Sequence, residues 1–509
     1  MRSHYPRSIL ALLYQAVAAA AFGAIDARDA PSSPGTSSCA SACHALNSAL
    51  PGEVAFPNST VYDFEESRYW SVQQATTTPA CRLSPTCAQD VSTGLLLLKK
   101  YECQFSVKSG GHAAFAGGSN INGGVTIDFV NMNEVTVNAD RNVTSLGPGN
   151  RWFDVYSKLE PMGLSVVGGR VADIGVGGLT LGGGISFFSG QYGWACDNVV
   201  NYEVVFADGS IHDVNQKSYP DLYFALRGGG NNFGIVTRFD LFTFPQGEML
   251  GGSLTFLPNA SAALIDAFTD FNINAPQDTF AAVILAYAYV QSAEVWIEAL
   301  DLEYAKPVAN PPIFQNFTSI PNPVANTLAI TNLTNITLAF NASNPGGFRQ
   351  TYWAGMIKNS AELLTDSVNI FMDEIAAVAN ASGILPSIVL QPITTDMTSH
   401  FTQNGGNALG ITAADGPLTL INLSISWSSA TDDDAIMAAA RNTINRVNST
   451  AYSMGLGHPF LYQNYAALEQ KVFPSYGAQN YKKLKQISKK YDPDGVFQIL
   501  QPGYFKLNE

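Results

Sequence analysis

The stretch VKSGGHAAFAGG, at residues 107–118, combines four glycines with a single histidine, His112. Glycine has no Cβ, so its backbone can approach another group closely and adopt conformations that other residues avoid. A histidine in such a loop lies close to any group that the loop backbone contacts. The stretch therefore predicts a loop that holds a ligand through its backbone and delivers an imidazole to that ligand.

Two more glycine clusters follow in the same region of the chain. VGGRVADIGVGGLTLGGG has eight glycines between Gly168 and Gly184, and RGGGNNFGIVTRF occupies residues 227–239. Backbone N–H groups in such clusters can cradle an anion such as a pyrophosphate, and no lysine stands where a phosphate-binding loop would need it. Any one cluster could instead be a sharp turn in a glycine-rich β domain. Three clusters together, one of them carrying His112, favour a dinucleotide cofactor held mainly by backbone.

The sequence lacks the motifs of several common catalytic and ligand-binding sites. It contains no GxxxxGK[ST] phosphate loop, no HExxH, no GxSxG nucleophile elbow and no GxGxxG dinucleotide fingerprint. Its six histidines are scattered and no CxxC pair occurs, so we expect no metal site. The formal net charge of -14 argues against a nucleic-acid partner, because phosphate binding requires a basic surface.

The N-terminus predicts secretion. Residues 1–23 have an arginine-bearing start, an apolar run and small residues before a cleavage site at Ala24, as a signal peptide does. The alternative is a membrane anchor, but the run is short and alanine-rich, and no later run is long enough to span a bilayer. We therefore expect an extracellular protein that is not associated with a membrane.

Sequons and cysteines also indicate an extracellular location. Ten Asn-x-Ser/Thr sequons predict N-glycans. They begin at Asn58, Asn142, Asn259, Asn316, Asn332, Asn335, Asn341, Asn380, Asn422 and Asn448. The six cysteines are an even number, and in an oxidising compartment some of them should form disulfides, although the sequence leaves their pairing open.

The chain divides into segments of different character. We expect a signal peptide at residues 1–23 and a loose, disulfide-tethered N-terminal segment at residues 24–60. A glycine-rich domain at 61–250, a second domain at 251–455 and a C-terminal segment at 456–509 should follow. In the glycine-rich domain, AQDVSTGLLLLKKYEC and SYPDLYFALRGGG predict helices, and Asp208-Gly209 predicts a tight turn. The second domain alternates strand-like and helical runs, which is typical of an antiparallel sheet covered by helices.

The motifs KSGGHA, GRVADIGVGGLTLGGG, YGWACDNVVNYEVVFADG and DLYFALRGGGNNFGIVT occur in this order, and YDPDGVFQILQPGYFKL follows near the C-terminus. This set resembles the berberine bridge enzyme-like oxidases of the vanillyl-alcohol-oxidase or PCMH-type FAD-binding family, with fungal secreted members and 6-hydroxynicotine oxidases most similar. The resemblance covers roughly residues 60–250 and 460–507. It implies an α+β fold, with a two-part PCMH-type FAD-binding domain and an antiparallel-sheet substrate domain covered by helices.

The resemblance implies a covalently bound FAD. In the family the histidine of SGGH is linked to the 8α-methyl of the flavin, and the matching residue is His112; the alternative is a structural loop histidine. Relatives with a second link use a cysteine where this chain has Val171, so a single link is implied, and Cys196 is expected to be a buried or disulfide cysteine. The other cofactor contacts implied, largely through backbone, are Ser109, Gly110, Gly111, Ala113, Gly177, Gly178, Thr180 and, at the adenine, Ile235.

The YxNY segment of the family supplies the expected catalytic residues. LYQNYA contains Tyr462, Asn464 and Tyr465. A tyrosine with the ordinary pKa of about 10 needs neighbours that stabilise its anion before it can act as a base. The alternative is that both tyrosines are core aromatics. A second active-site tyrosine of some relatives is replaced here by Ile185.

The resemblance implies a secreted FAD-dependent oxidase. Its substrate would lose a hydride to the flavin, with O2 as the electron acceptor and H2O2 as a product, and an alcohol, a sugar or a specialised metabolite would fit. Three alternatives remain open. They are a dehydrogenase of the same fold that does not use oxygen, a non-catalytic secreted binding glycoprotein and, with the least support, a nicotinamide-linked reductase.

Overall fold

The computed structural model describes residues 36–508, so the predicted signal peptide lies outside the described residues. The described chain forms three β-sheets. Their strands, in chain order, are β1 (Val54–Ala55), β2 (Cys81–Leu83), β3 (Phe105–Lys108), β4 (Val125–Asp128), β5 (Val135–Val137), β6 (Val143–Leu146), β7 (Leu164–Val166), β8 (Val199–Val205), β9 (Ile211–Val214), β10 (Ile235–Pro245), β11 (Met249–Gly251), β12 (Ser253–Phe256), β13 (Ala281–Val290), β14 (Val295–Tyr304), β15 (Ala325–Asn326), β16 (Ala329–Thr331), β17 (Arg349–Lys358), β18 (Leu385–Ile393), β19 (Leu418–Trp427) and β20 (Gly457–His458).

Helices cover or connect these sheets. In chain order they are α1 (Thr36–Ala49), α2 (Thr60–Glu66), α3 (Val72–Ala75), α4 (Ala88–Lys100), α5 (Trp152–Leu159), α6 (Val176–Leu181), α7 (Ser189–Tyr192), α8 (Pro220–Leu226), α9 (Ser261–Asn274), α10 (Gln315–Thr318), α11 (Leu333–Ala342), α12 (Ala361–Ala376), α13 (Thr395–Ser399), α14 (Asp433–Ser453), α15 (Val472–Ser475), α16 (Ala478–Tyr491) and α17 (Val496–Ile499).

Local sequence explains the elements predicted in the glycine-rich domain. Helix α4 has Asp90 in its first turn and two lysines in its last, which suits the helix dipole, and it buries Leu95 and Leu98 on one face. Helix α8 begins with Pro220 at its first position, where a missing N–H costs no helical hydrogen bond. Gly209 has a φ of 85° in the turn between β8 and β9. Both predicted helices and the predicted turn are confirmed.

The first sheet lies beneath the histidine loop. Its strand order is β1-β2-β4-β3, and β2, β4 and β3 run parallel. Parallel strands end at a common edge, where open α/β sheets bind their ligands. The loop after β3, which contains His112, therefore emerges beside the ends of β2 and β4.

The N-terminal segment is packed against this sheet. Disulfides Cys39–Cys103 and Cys43–Cys81 fasten α1 to the first sheet and to the chain that precedes β3. Leu46 of the same helix is fully buried in the first sheet's core. The prediction of disulfides is confirmed. The prediction of a loose N-terminal segment is wrong for helix α1, because one face of this helix is part of a hydrophobic core.

The second sheet is antiparallel and completes the glycine-rich part of the fold. Its strand order is β5-β6-β10-β8-β9, with β7 paired to β10. Ile235, predicted to lie at the adenine, is the first residue of β10 and pairs with Val205 of β8. The C-terminal segment returns to this part of the chain, where Asn232 donates to the carbonyl of Phe505 at 3.1 Å.

The third sheet has ten antiparallel strands with two different faces. Successive residues of a strand point to opposite sides. On one side, Leu285, Leu300 and Leu390 pack in a core with helices α9, α12 and α14. On the other side, Ala286 and Ala299 face a cavity. The predicted α+β fold, with an antiparallel sheet covered by helices, is confirmed.

No helix between residues 36 and 508 has the length and apolar character needed to cross a membrane. Nine of the ten sequon asparagines are exposed or half-buried. Asn422 is the exception, since it is 5% exposed and lies in β19. The prediction of a glycan at Asn422 conflicts with this buried position.

Breaking the Cys39–Cys103 link should destabilise the fold. The two cysteines are 64 residues apart, and a cross-link of this span removes entropy from the unfolded chain. Cys39→Ser combined with Cys103→Ser should lower the free energy of unfolding by about 2–4 kcal/mol in denaturant titrations. Cys87→Ser, at an exposed free thiol that caps the start of α4, is the matched control; serine is a favoured N-cap residue, so this variant should leave the free energy of unfolding unchanged or raise it by up to about 1 kcal/mol. An unchanged midpoint in the double variant would contradict the pairing.

Candidate active site

A cavity of 1060 Å³, the central cavity, lies between the glycine loops and the third sheet. Its floor is made by residues 107, 109–115, 170–171, 174–175 and 177–179, and its roof by side chains of β13, β14, β18 and β19. Arg170 and Asp301 are the lining residues that carry a formal charge at neutral pH within the described chain. Pockets for small ligands usually measure about 300–1000 Å³, so this cavity has room for a large cofactor and part of a substrate.

The floor depends on a contact between two glycines. A Cβ added to Gly110 would stand 2.4 Å from the backbone nitrogen of Gly175, and one added to Gly175 would stand 2.2 Å from that of Gly110. Any side chain at either position would push the two loops apart. Ser109 joins the loops further, since its hydroxyl donates to the carbonyl of Pro148 at 2.5 Å and accepts from the N–H of Gly177 at 3.1 Å. The result is a narrow cradle made mainly of backbone.

His112 is held by stacking and lines the central cavity. Its ring centroid lies 4.2 Å from that of Trp70, with 12° between the ring planes. Its Nε2 is buried and has no hydrogen-bond partner among residues 36–508. Burial, assisted by the positive charge of Arg151, lowers the pKa of His112 to about 3, so the ring is neutral at physiological pH. A neutral imidazole with an unpartnered nitrogen has the character of a nucleophile.

A buried ion network anchors the start of the histidine loop. Lys108, the last residue of β3, donates to Asp128 at 2.9 Å and to Glu65 at 3.2 Å. Arg82 on β2 pairs with Asp128 and with Glu66. Burial raises the pKa of Asp128, but Lys108 and Arg82 outweigh burial and hold it below its usual range. The network therefore ties together the three parallel strands beneath His112.

The oxygen of Tyr462 accepts three hydrogen bonds. The donors are the N–H of Gly184 at 3.0 Å, the N–H of Ile185 at 3.3 Å and the side-chain amide of Asn464 at 2.9 Å. All three groups donate, so none of them can receive the hydroxyl proton of Tyr462, a residue that lines the central cavity. Burial raises the pKa of Tyr462 and the nearby Tyr465 adds to this effect, whereas the three N–H groups counteract it.

The hydroxyl oxygen of Tyr465 has a different hydrogen-bond partner from that of Tyr462. Its oxygen accepts a hydrogen bond from Arg170 at 3.0 Å, and Arg170 also donates to Gln391 of β18 at 2.5 Å. The Tyr465 ring meets that of Tyr352 edge-on, with 5.7 Å between centroids. Arg170 therefore links the floor of the central cavity, its roof and the C-terminal segment.

The central cavity brings together most of the predicted site residues. Those that line it are Ser109, Gly110, Gly111, His112, Ala113, Gly177, Gly178, Ile235, Tyr462, Asn464 and Tyr465. Thr180 is not among them, because it is fully buried and its hydroxyl donates to the carbonyl of Val176 at 2.7 Å. Val171 and Ile185 line the cavity at the positions of the missing cysteine and tyrosine. Cys196 is a buried free cysteine outside the cavity lining.

The residues that form the roof of the cavity were not predicted from the sequence. Asp301 of β14, Gln391 of β18 and Asn422 of β19 all line it. On β14, Asp301 alternates with Leu300 and Leu302, which are buried against helices. Such alternation predicts a two-faced strand but equally fits a strand that faces water. The sequence therefore carried a signal for the strand and none for the cavity.

Comparison with known proteins identifies the family. The family model described as an FAD binding domain matches residues 79–215, and that described as berberine and berberine like matches residues 461–502. The chain is 37% identical over 494 residues to the FAD-dependent monooxygenase tpcD of Cochliobolus heterostrophus, covering 92% of this chain and 95% of that protein. It belongs to the berberine bridge enzyme-like family. As a member of that family it is an FAD-dependent oxidoreductase.

Other berberine bridge enzyme-like proteins and their structures agree with this assignment. The chain is 36% identical over 498 residues to the FAD-dependent monooxygenase FUP4 of Fusarium proliferatum, covering 92% of this chain and 95% of that protein. The crystal structure of 6-hydroxy-D-nicotine oxidase from Arthrobacter nicotinovorans superposes with a TM-score of 0.74 at 19% identity, covering 88% of this chain and 96% of that one. At this level of identity the superposition shows a shared fold.

The geometry of the site fits FAD. The central cavity is large, the contact between Gly110 and Gly175 leaves a backbone cradle suited to a pyrophosphate, and the Nε2 of His112 has no partner within the described chain. Gly178 adds to the cradle, since a Cβ placed there would meet no atom within 4 Å. The glycine-rich floor would hold the cofactor, leaving the roof for the substrate.

Gly110→Ala should weaken FAD binding. The added Cβ would force the two loops apart, and overpacking of this kind costs about 1–3 kcal/mol, equivalent to about fivefold or more in affinity. The purified variant should therefore carry several-fold less flavin, measured as visible flavin absorbance relative to protein absorbance. Gly247→Ala is the matched control, because a Cβ there meets nothing within 4 Å. Equal flavin in both variants would show that the loop contact is not required.

Proposed function

We propose that this protein is a secreted, N-glycosylated FAD-dependent oxidase whose flavin is bound through a single 8α-histidyl link at His112. The observation that carries the proposal is the neutral His112 ring, which lines the central cavity with an Nε2 that has no partner among the residues described. Val171, in place of the cysteine of doubly linked relatives, supports a single link.

The chain binds and orients the substrate and moves its proton. When bound, FAD supplies the acceptor for a hydride and therefore for two electrons. Tyr462, assisted by Asn464 and Tyr465, takes the proton from an O–H or N–H group of the substrate. Burial raises the pKa of Tyr462 above its ordinary value, so the free side chain is a neutral phenol; the three N–H donors on its oxygen support the role by lowering the cost of forming the anion that accepts a proton.

Molecular oxygen is the proposed electron acceptor, and H2O2 is the proposed product. The substrate is a small organic molecule such as an alcohol, a sugar or a specialised metabolite. Both fungal relatives described above are named FAD-dependent monooxygenases, so their names already state a reaction with oxygen. The alternative is an oxygen-insensitive dehydrogenase of the same fold.

Secretion and N-glycosylation are supported by independent features. Two disulfides join the N-terminal helix to the first sheet, and such bonds persist in oxidising compartments. Nine sequon asparagines are exposed or half-buried, where a glycan can project into solvent. Residues 1–23 have the pattern of a signal peptide.

Removing the imidazole should release the flavin from the polypeptide. The wild-type protein, expressed in a secreting host and precipitated with acid, should give a pellet with flavin fluorescence, whereas the His112→Ala pellet should have none. A yellow native protein whose acid pellet is colourless would contradict the covalent link. A native protein without flavin would contradict the oxidase and favour the non-catalytic binding glycoprotein.

Oxygen use can be tested without a known substrate. The flavin-loaded protein is reduced under anaerobic conditions and then mixed with air-saturated buffer, while flavin absorbance and H2O2 are followed. An oxidase should regain its absorbance within seconds and release about one H2O2 per flavin, because two electrons reduce one O2. Reduced flavin that persists for many minutes in air would contradict the oxidase and favour the dehydrogenase.

A further inference from the structure

The roof of the central cavity carries a carboxyl group that the proposed reaction leaves unassigned. Asp301 lies on the same face of β14 as Ile297 and Ala299, and all three line the cavity. The neighbouring strands place Ser253 and Ile284 beside it. Ser253 donates a hydrogen bond to the Oδ1 of Asp301. The Oδ2 of Asp301 has no hydrogen-bond partner within residues 36–508. This oxygen is available to a ligand.

Two charged or ionisable groups act on Asp301, namely Arg170 from the floor and Glu303 from its own strand. Glu303 is 1% exposed, and neither of its carboxyl oxygens has a hydrogen-bond partner in the described chain. Burial and the charge of Asp301 raise the pKa of Glu303 well above its usual range, which favours its neutral form. The flanking Ser253 and Ile284 do not ionise. The other ionisable side chains lining the cavity are His112, Tyr352, Tyr462, Tyr465 and Tyr504.

Asp301 is therefore a carboxylate at pH 7, and it gains a proton and loses its charge in mild acid. Burial raises its pKa to about 6, and the hydrogen bond from Ser253 and the charge of Arg170 limit the rise. Above this pKa the carboxylate accepts strong hydrogen bonds. Below it, the protonated acid accepts weaker ones.

A second polar side chain without a partner lies on the same face of the sheet. Asn422 of β19 is 5% exposed and lines the cavity, and its Oδ1 has no hydrogen-bond partner in the part of the chain that is described. Strands β13 and β18 lie between β14 and β19, and the register places Asn422 level with Ala299, so Asp301 and Asn422 are three strand spacings and two residues apart, roughly 16 Å. Between them the roof presents Ile284, Ala286 and Val389, and Gln391, whose side-chain oxygen accepts from Arg170, follows Val389 on the same face of β18. A polar group thus stands at each end of an apolar strip.

We propose that Asp301 accepts a hydrogen bond from a hydroxyl group of an uncharged, elongated and largely apolar substrate. This inference rests on the proposed function, since it assigns the substrate class of the same cavity. Asp301 disfavours a carboxylate and Arg170 disfavours an ammonium group, and burying either charge carries a large desolvation cost. The apolar strip contacts the hydrocarbon part of the substrate, and Asn422 pairs with a polar group at its other end.

The test is the binding of three probes of equal size and different charge to the flavin-loaded protein by titration calorimetry. The probes are 2-naphthalenemethanol, 2-naphthylmethylamine and 2-naphthoic acid. At about pH 7.5 the alcohol should bind about tenfold more tightly than either charged probe. Its affinity should fall about tenfold at about pH 5, because Asp301 is then protonated and the charge-assisted hydrogen bond is lost.

Variants assign these effects to Asp301. Asp301→Asn should weaken alcohol binding about tenfold at about pH 7.5 and remove its pH dependence. Glu303→Gln, which mimics the protonated acid on the same strand, is the matched control and should bind as the wild type does. Ser253→Ala removes the donor to Oδ1, so it should move the pH midpoint of binding upward; this variant keeps the test valid if Asp301→Asn does not fold.

Two results would overturn the inference: wild-type affinity and pH dependence in Asp301→Asn, or tighter binding of either charged probe. Flavin content is measured first in every sample, which separates the two proposals. A wild-type protein without flavin would contradict the proposed function itself. Full flavin in Asp301→Asn together with unchanged alcohol binding would contradict only the role of Asp301.

Discussion

The site depends on one steric constraint, the contact of Gly110 with Gly175. Two loops from different parts of the chain meet there at a distance that leaves no room for a Cβ on either side. One loop carries His112, and the other leads into helix α6. Because the loops touch through backbone, they present peptide groups to the cavity, and the cofactor can be held without a basic side chain.

The strands beneath the histidine loop fix its position. Lys108 precedes it on β3, and the buried network with Asp128 and Arg82 fixes the ends of three parallel strands. Trp70 then stacks on the His112 ring from the side. A half-buried, neutral imidazole that is fixed in orientation needs no further movement to react with a group delivered to it, so the fold positions the residue in advance of the cofactor.

Floor and roof have separate tasks. The floor offers a glycine backbone cradle that would hold the cofactor, and at Gly110 and Gly175 it leaves no room for a Cβ. The roof is the cavity face of an antiparallel sheet whose other face packs against helices. Because alternate residues of a strand face opposite sides, a substitution such as one at Ala299 changes the cavity while its neighbour Leu300 stays in the core. The shape of the cavity can therefore vary without disturbing the hydrophobic core.

The sequence predicted the features that depend on local pattern. The glycine clusters, the helix with Leu95 and Leu98 on one face and the Asp208-Gly209 turn all follow from the backbone and packing preferences of their own residues. It predicted neither the packed helix at Leu46 nor the burial of Asn422, because both depend on which distant elements cover them. Thr180 lies in a cofactor motif but turns its hydroxyl to its own helix. Asp301 and its partner Ser253 are 48 residues apart, so their meeting is a product of strand pairing.

The most direct test of this account is a crystal structure of the flavin-loaded protein. We expect electron density for FAD in the central cavity, with its pyrophosphate beside Gly110 and Gly175, continuous density from the flavin to His112, and the β14 face above the ring system. Flavin density in another place, or a flavin bound in this cavity but separated from His112 by van der Waals distance, would contradict the central claim that the two glycine loops hold the cofactor and present the histidine to it.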